Sequence, residues 1–195
     1  MEGPDTHFAR LVSLACHDLR TPLATVHGFA RTLARLDLEE PGDRYVTMIE
    51  LATAQLTELL DVLGLAARIE GRRWEPNVQE VELSELAASA LGSLEDVSLD
   101  VSGPGSRVRV DVESERRALY DLARCAVRHG GLQSLDARVA GAELHLRPVD
   151  GRVAPIVLGE ELRDLGAAVG VAVVRGLGGS AALDGETLVV RLPVA

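Results

Sequence analysis

Two long apolar stripes occupy the first third of the chain, and they limit its fold more than any other feature. Phe8, Val12, Ala15, Leu19, Leu23, Val26, Ala30 and Leu33 recur at alternating spacings of three and four, the period of one helix face. Asp5 or Thr6 can cap the start of that helix. The pattern breaks around Leu38-Glu39-Glu40-Pro41-Gly42-Asp43, where Pro-Gly marks a turn. Val46, Ile49, Thr53, Leu56, Leu60, Leu63 and Ala67 carry the second stripe, with Asp43 available as its cap. Two helices of about 40 Å, at 1.5 Å per residue, joined by a short connection fold as an antiparallel hairpin. A lone hairpin buries only one side of each stripe, so a homodimer completing a four-helix bundle is expected. Residues 1–72 form this unit.

Gly71-Arg72-Arg73-Trp74-Glu75-Pro76-Asn77 ends the periodicity, and residues 73–80 read as a linker. From Val81 onward the patterns mix. Leu83 to Leu91 and Glu113 to Arg128 have helical spacing, as does Glu160 to Gly176. Val97 to Val101 and Val108 to Val112 alternate like half-buried strands, with Gly103-Pro104-Gly105 turning between them. Ala137-Arg138-Val139 and Leu144-His145-Leu146 read as a hairpin across Gly141, and Thr187 to Val194 as a last strand. Helices beside a mostly antiparallel sheet make an α/β sandwich over residues 81–195, so the whole chain is α+β. A formal net charge of −10 argues against nucleic acid and against an anionic membrane surface. No long uncharged apolar run or signal-peptide pattern is present, so the cytoplasm is the expected location. Cys16 and Cys125 suggest neither a disulfide framework nor a zinc site.

One short motif carries chemistry: His17-Asp18-Leu19-Arg20-Thr21-Pro22-Leu23. With Val12, Ala15 and Leu19 on the hairpin seam, His17 points to solvent, where another protein can reach its ring. Arg20 and Thr21 lie about one turn away. Pro22 donates no backbone hydrogen bond and crowds the carbonyl of Asp18, which favours a bend beneath the histidine. An imidazole nitrogen is a good nucleophile near neutral pH, and phosphorylated imidazole is a labile donor. A carboxylate at Asp18 can hold the proton of the other ring nitrogen, and Thr21 can orient water for hydrolysis.

That motif, in the first of two long helices, resembles the phosphoacceptor H-box of bacterial sensor histidine kinases. The resemblance extends along the chain: the hairpin is similar to their dimerisation and phosphotransfer domain, and the remainder to their ATP-binding domain. It implies that His17 is the phosphoacceptor, with Asp18 and Thr21 assisting and Arg20 and Pro22 supporting.

The second domain departs from the family where ATP should bind. Cys125 stands where the family has a Mg²⁺-binding asparagine, and a thiol is a poor ligand for that hard cation. Asp121, one turn earlier, is a candidate substitute. Asp150 stands where the family's adenine-reading aspartate would be, but the glycines that should follow it are misplaced. Leu165-Gly166-Ala167-Ala168-Val169-Gly170 keeps the outer glycines of a phosphate-binding segment and replaces the middle one with Ala168, whose Cβ obstructs close approach of a phosphate. Only a handful of residues are left for a lid.

These departures resemble dimeric histidine phosphotransferases of bacterial phosphorelays. The resemblance implies a phosphotransferase without autokinase activity, whose partners are response-regulator receiver domains. It implies no cofactor or metal on this chain, with Mg²⁺ supplied by the receiver. Two alternatives remain open: a divergent active kinase, and a non-catalytic dimeric scaffold that sequesters a regulator. Phosphatase action through Asp18 and Thr21 can coexist with transfer. With few residues before the first helix, no sensor module is expected.

Overall fold

Helix α1 spans Pro4–Leu33 and α2 spans Gly42–Glu70, as the two stripes predict. The computed structural model describes residues 4–36, 41–94 and 97–195, apart from the side chains of residues 4–11, 13–15 and 18. The expected caps Asp5 and Thr6, the stripe residues Phe8 and Ala15, and the turn residues Leu38 to Glu40 thus fall outside the described side chains or residues. The chain divides into two compact units, Met1–Trp74 and Glu75–Ala195.

In the hairpin, α1 meets α2 through Val12, Cys16, Leu23, His27 and Ala30, of which Cys16 and Ala30 are fully buried. These positions recur at fours, threes and sevens, so the facing seam follows a coiled-coil repeat. Leu19 does not belong to it and is 54% exposed. Each helix has more apolar positions than one neighbour can cover. The surplus forms a second, open stripe of Leu19, Val26, Phe29 and Leu33 on α1 and Ile49, Leu56, Leu59 and Leu63 on α2. The cap of α2 also differs from expectation: Pro41 occupies the N-cap and Asp43 lies in the first turn, where its charge still favours the helix dipole.

The second unit contains β1 (Val78–Glu82), α3 (Leu83–Leu91), β2 (Ser98–Ser102), β3 (Arg107–Asp111), α4 (Val112–Gly130), β4 (Ser134–Ala140), β5 (Glu143–Arg147), α5 (Ala154–Val157), α6 (Leu165–Gly176), β6 (Ser180–Asp184) and β7 (Thr187–Arg191). Among the described residues, β2-β4-β5-β7-β6 form one sheet and β1-β3 a smaller one. In the large sheet β2 pairs with β4 in parallel, while β4–β5, β5–β7 and β6–β7 are antiparallel. One face of the large sheet is closed: Leu135, Ala137 and Val139 of β4 alternate with exposed Ser134, Asp136 and Arg138. Leu144, Leu146, Leu188 and Val190 continue that face beneath Leu83, Leu91, Leu119 and Leu122. Each such burial is worth roughly 1.5–3 kcal/mol.

Four expectations change. The linker 73–80 is cut short, because Val78, Gln79 and Glu80 already pair with Asp111, Val110 and Arg109. The second unit therefore begins at Glu75 rather than Val81. The turn at Gly103-Pro104-Gly105 separates strands of different sheets, β2 entering the large one and β3 the small one. The helix read over Glu160 to Gly176 begins only at Leu165, where the Asp164 carboxylate accepts the Ala167 amide at 3.0 Å. Finally, the last strand is preceded by β6, which pairs with it from Ser180 to Asp184.

Candidate functional site

His17 is exposed on α1, one residue past buried Cys16. A step of one residue turns the side chain by about 100° on a helix, which carries the imidazole off the buried face. His17, Arg20, Thr21, Ala24 and Thr25 line a shallow, open depression. The Arg20 guanidinium donates to Asp61 Oδ1 of α2 at 2.7 Å. Both side chains are roughly half exposed, so the pair adds at most about 1 kcal/mol; its effect is to aim Arg20 across the hairpin. The Thr25 hydroxyl donates to the Thr21 carbonyl at 3.1 Å. α1 continues through Pro22, which offers no amide to the Asp18 carbonyl. The Asp18 carboxylate lies outside the described side chains.

Farther along the hairpin, His27 Nδ1 lies 2.9 Å from Thr53 Oγ1. Thr53 is 4% exposed, and its hydroxyl donates to the Ile49 carbonyl at 2.8 Å. The pair is satisfied when His27 carries a proton on Nδ1. The stripe alone marked Thr53 as a seam residue but did not single out His27 as its partner.

In the second unit, four of the six positions read as a decayed nucleotide site meet where α4 packs on α6. Asp121 is 6% exposed and accepts from Arg117 Nε at 2.8 Å. Burial raises its pKa, partly opposed by Arg117. Cys125 is 1% exposed; burial and the Asp164 charge push its thiol up to about 12. Gly166 and Gly170 are helical residues of α6. A Cβ on Gly166 would stand 2.9 Å from Asp121 Cγ, and one on Gly170 would stand 3.1 Å from the Ala118 carbonyl oxygen. Ala168 faces elsewhere, toward Gly159. Asp150 is tied to its own loop: Oδ1 accepts the Arg152 amide at 2.7 Å and Oδ2 its guanidinium at 2.9 Å. Those bonds hold the Asp150 carboxyl down at about 2.

Three further residues were not visible in the sequence as site features. Asp164 places a carboxylate on the first turn of α6, where amides would otherwise favour an anion. His129, one turn after Cys125, has its Nε2 3.4 Å from Asp164 Oδ2. Glu115 is buried in α4, with both carboxylate oxygens lacking a hydrogen-bond partner. Among the described residues, no helix is long and apolar enough to cross a membrane.

Comparison with known proteins agrees with this architecture. Residues 9–72 match the His Kinase A (phospho-acceptor) domain. The chain is 32% identical over 147 residues to the sensor protein KdpD of Escherichia coli, covering 70% of this chain and 16% of KdpD. It is 29% identical to the sensor protein DivL of Caulobacter vibrioides, covering 87% of this chain and 25% of DivL. It is 27% identical to the histidine protein kinase DivJ of the same organism, covering 95% of this chain and 37% of DivJ. The chain thus spans well under half the length of each. In fold it is similar to full-length ShkA solved with AMPPNP, with a TM-score of 0.71 and 18% identity over 95% of this chain and 47% of ShkA. It is also similar to the Acinetobacter baumannii histidine kinase AdeS, with a TM-score of 0.58 and 18% identity over 91% of this chain and 98% of that one. A phosphoacceptor hairpin bearing an exposed His17, followed by a domain with the histidine-kinase ATP-binding fold, makes this chain a sensor histidine kinase-like protein.

Proposed function

We propose that the chain is a histidine phosphotransferase of a two-component phosphorelay, which takes a phosphoryl group from a receiver-domain aspartate and passes it to another. A ring nitrogen of His17 attacks phosphorus, the bond from phosphorus to the aspartyl oxygen breaks, and the receiver regains its carboxylate. The other ring nitrogen keeps its proton, held by Asp18, until the group moves on. Thr21 orients water when the phosphoryl group is lost to hydrolysis instead. Mg²⁺ arrives with the receiver and neutralises charge on the transferred group.

The observation that carries this reading is the contrast between the two units. His17 is exposed beside an open depression lined by Arg20, Thr21, Ala24 and Thr25. In the other unit, the start of α6 is occupied by the Asp164 carboxylate, with Asp121 packed against Gly166. A triphosphate brought to that helix terminus would meet carboxylates instead of unpaired amides. The surplus apolar stripe on α1 and α2 supports a homodimer, since large exposed apolar faces mark interfaces.

The kinase names of relatives such as DivJ favour a second reading, a divergent kinase that phosphorylates His17 from ATP. One experiment separates the readings: offer labelled ATP, and separately a labelled phospho-receiver, to the unmutated protein and to His17→Gln. Label passing from the receiver but not from ATP, and only with His17 present, supports the phosphotransferase. Label from ATP supports the kinase. No label from either source leaves a scaffold.

A further inference from the structure

Three side chains that phosphoryl transfer does not use converge where the end of α4 meets the start of α6. Cys125 and His129 are four residues apart on α4, so they project from the same helix face one turn apart. Asp164 reaches them from the N-cap of α6. One ligand atom of each, a sulfur, a ring nitrogen and a carboxylate oxygen, lies within 4.8 Å of the others. His129 Nε2 and Asp164 Oδ2 are 3.4 Å apart.

Two details make this more than a chance cluster. The Nε2 atom of His129 is sealed from solvent and makes no hydrogen bond; it faces Asp164 Oδ2 at 3.4 Å, and a buried ring nitrogen normally has a hydrogen-bond partner. Asp164 is already oriented: Oδ1 is fixed by the Ala167 amide at 3.0 Å, which leaves Oδ2 turned toward the histidine. Ligands held in place by such second contacts bind metals more tightly.

We propose that Cys125, His129 and Asp164 form a binding site for a borderline-soft divalent cation, Zn²⁺ foremost, which fastens the end of α4 to the start of α6. Sulfur, imidazole and carboxylate are the three ligand types that Zn²⁺ takes together, whereas Mg²⁺ and Ca²⁺ require oxygen. Metal–ligand bonds of about 2.0–2.3 Å in a tetrahedron separate the ligand atoms by roughly 3.5 Å. The nitrogen–oxygen pair already has that spacing at 3.4 Å, and the sulfur lies within 4.8 Å of both. On binding, the Cys125 S–H bond breaks, a sulfur–zinc bond forms, and the proton passes to solvent. With three protein ligands, the fourth position is taken by water. Sequence spacing gave no sign of the site, because a single cysteine is involved and the carboxylate comes from another helix.

The test uses the full chain stripped with a chelator. Titration with ZnCl₂ is expected to show one ion bound per chain with sub-micromolar affinity and to raise the melting temperature. Titration with Co²⁺ is expected to give a near-ultraviolet sulfur-to-metal charge-transfer band and the intense visible bands of a tetrahedral site. Cys125→Ser should abolish that band and weaken Zn²⁺ binding at least about 100-fold. Asp164→Asn keeps the helix cap but loses the charge, and should weaken binding by about 10–100-fold, so the proposal stays testable even if Cys125→Ser folds poorly. Zinc binding unchanged in both variants would assign the ion to other histidines and overturn the proposal. So would absence of binding to the unmutated protein, or a Co²⁺ spectrum without the charge-transfer band.

Discussion

Replacing Glu115 by glutamine should make the second unit more stable at neutral pH, by an amount that grows with pH. The Glu115 carboxyl is 0% exposed, has no hydrogen-bond partner, and is pushed up to about 8 by burial and by the nearby charge of Asp111. Below about pH 4.5 the group is protonated in both folded and unfolded chains and contributes no pH dependence. Between that point and pH 8 the folded chain holds a proton that the unfolded chain releases, so stability falls as pH rises. At 1.36 kcal/mol per unit the loss is about 3 kcal/mol at pH 7 and about 5 kcal/mol above pH 8. A domain of this size has only about 5–15 kcal/mol in all. Glutamine has nearly the same shape and does not ionise. The difference between the two proteins should therefore be near zero at pH 4.5, about 3 kcal/mol at pH 7, and level above pH 8. Urea unfolding of the full chain, read through hydrogen exchange of α4 amides, isolates this unit from the hairpin. Parallel stability curves for the two proteins across pH 4.5–8.5 would show that Glu115 reaches water or a partner, and the reasoning would fail.

Leu56→Asp places a charge in the open apolar stripe and should turn a dimer into a monomer on light scattering, since burying an unpaired carboxylate costs several kcal/mol; a monomeric unmutated protein would remove the basis for this expectation. Gly170→Val should lower stability by about 1–3 kcal/mol, because even a Cβ there would stand 3.1 Å from the Ala118 carbonyl oxygen; unchanged thermal unfolding would mean that α6 can shift away from α4. In a phospho-receiver transfer assay, Asp18→Asn should slow the reaction and Thr21→Ala should change mainly the loss of phosphate to water. If Asp18→Asn were as inactive as His17→Gln, Asp18 would be essential rather than assisting. Calorimetry with millimolar ATP and Mg²⁺ should give no binding heat.

The parts of this protein that can be read from the sequence are those whose signals are contiguous. α1 and α2 repeat one period over many residues, and the motif around His17 is an unbroken run, so both were legible. Which apolar face meets which neighbour was not, because a period says that a stripe exists without saying how many partners it has. Leu19 was placed on the hairpin seam for that reason, while the facing residue is Cys16, a small side chain that lets the helices approach. Val78-Gln79-Glu80, the first part of β1, reads as linker because β1 forms a two-stranded pairing with β3, with little buried area to enforce apolar alternation. β6 is alanine-rich and short, and β propensity depends on packing that such residues hardly engage. Glu115 was invisible because its neighbours in sequence are charged too; only the fold turns it inward while Glu113 stays exposed.

Glycines 166 and 170 bear on how much nucleotide chemistry the second domain retains. In sequence they look like survivors of a phosphate-binding segment, and survivors argue for residual ATP binding. In the fold they lie four residues apart on one face of α6, and that face rests on α4 at Asp121 and Ala118. Helix packing this close needs small residues at those positions whether or not a phosphate is ever present. Their retention is therefore explained without a ligand and carries no weight for the kinase reading. Ala168 is half-buried and lies near Gly159 rather than against Asp121 or Ala118, and there that contact imposes no glycine. If selection acted on packing alone, the outer glycines would stay and the middle one would be free to become alanine. That is the pattern in this chain, and it accords with an α4–α6 contact held by packing at Gly166 and Gly170.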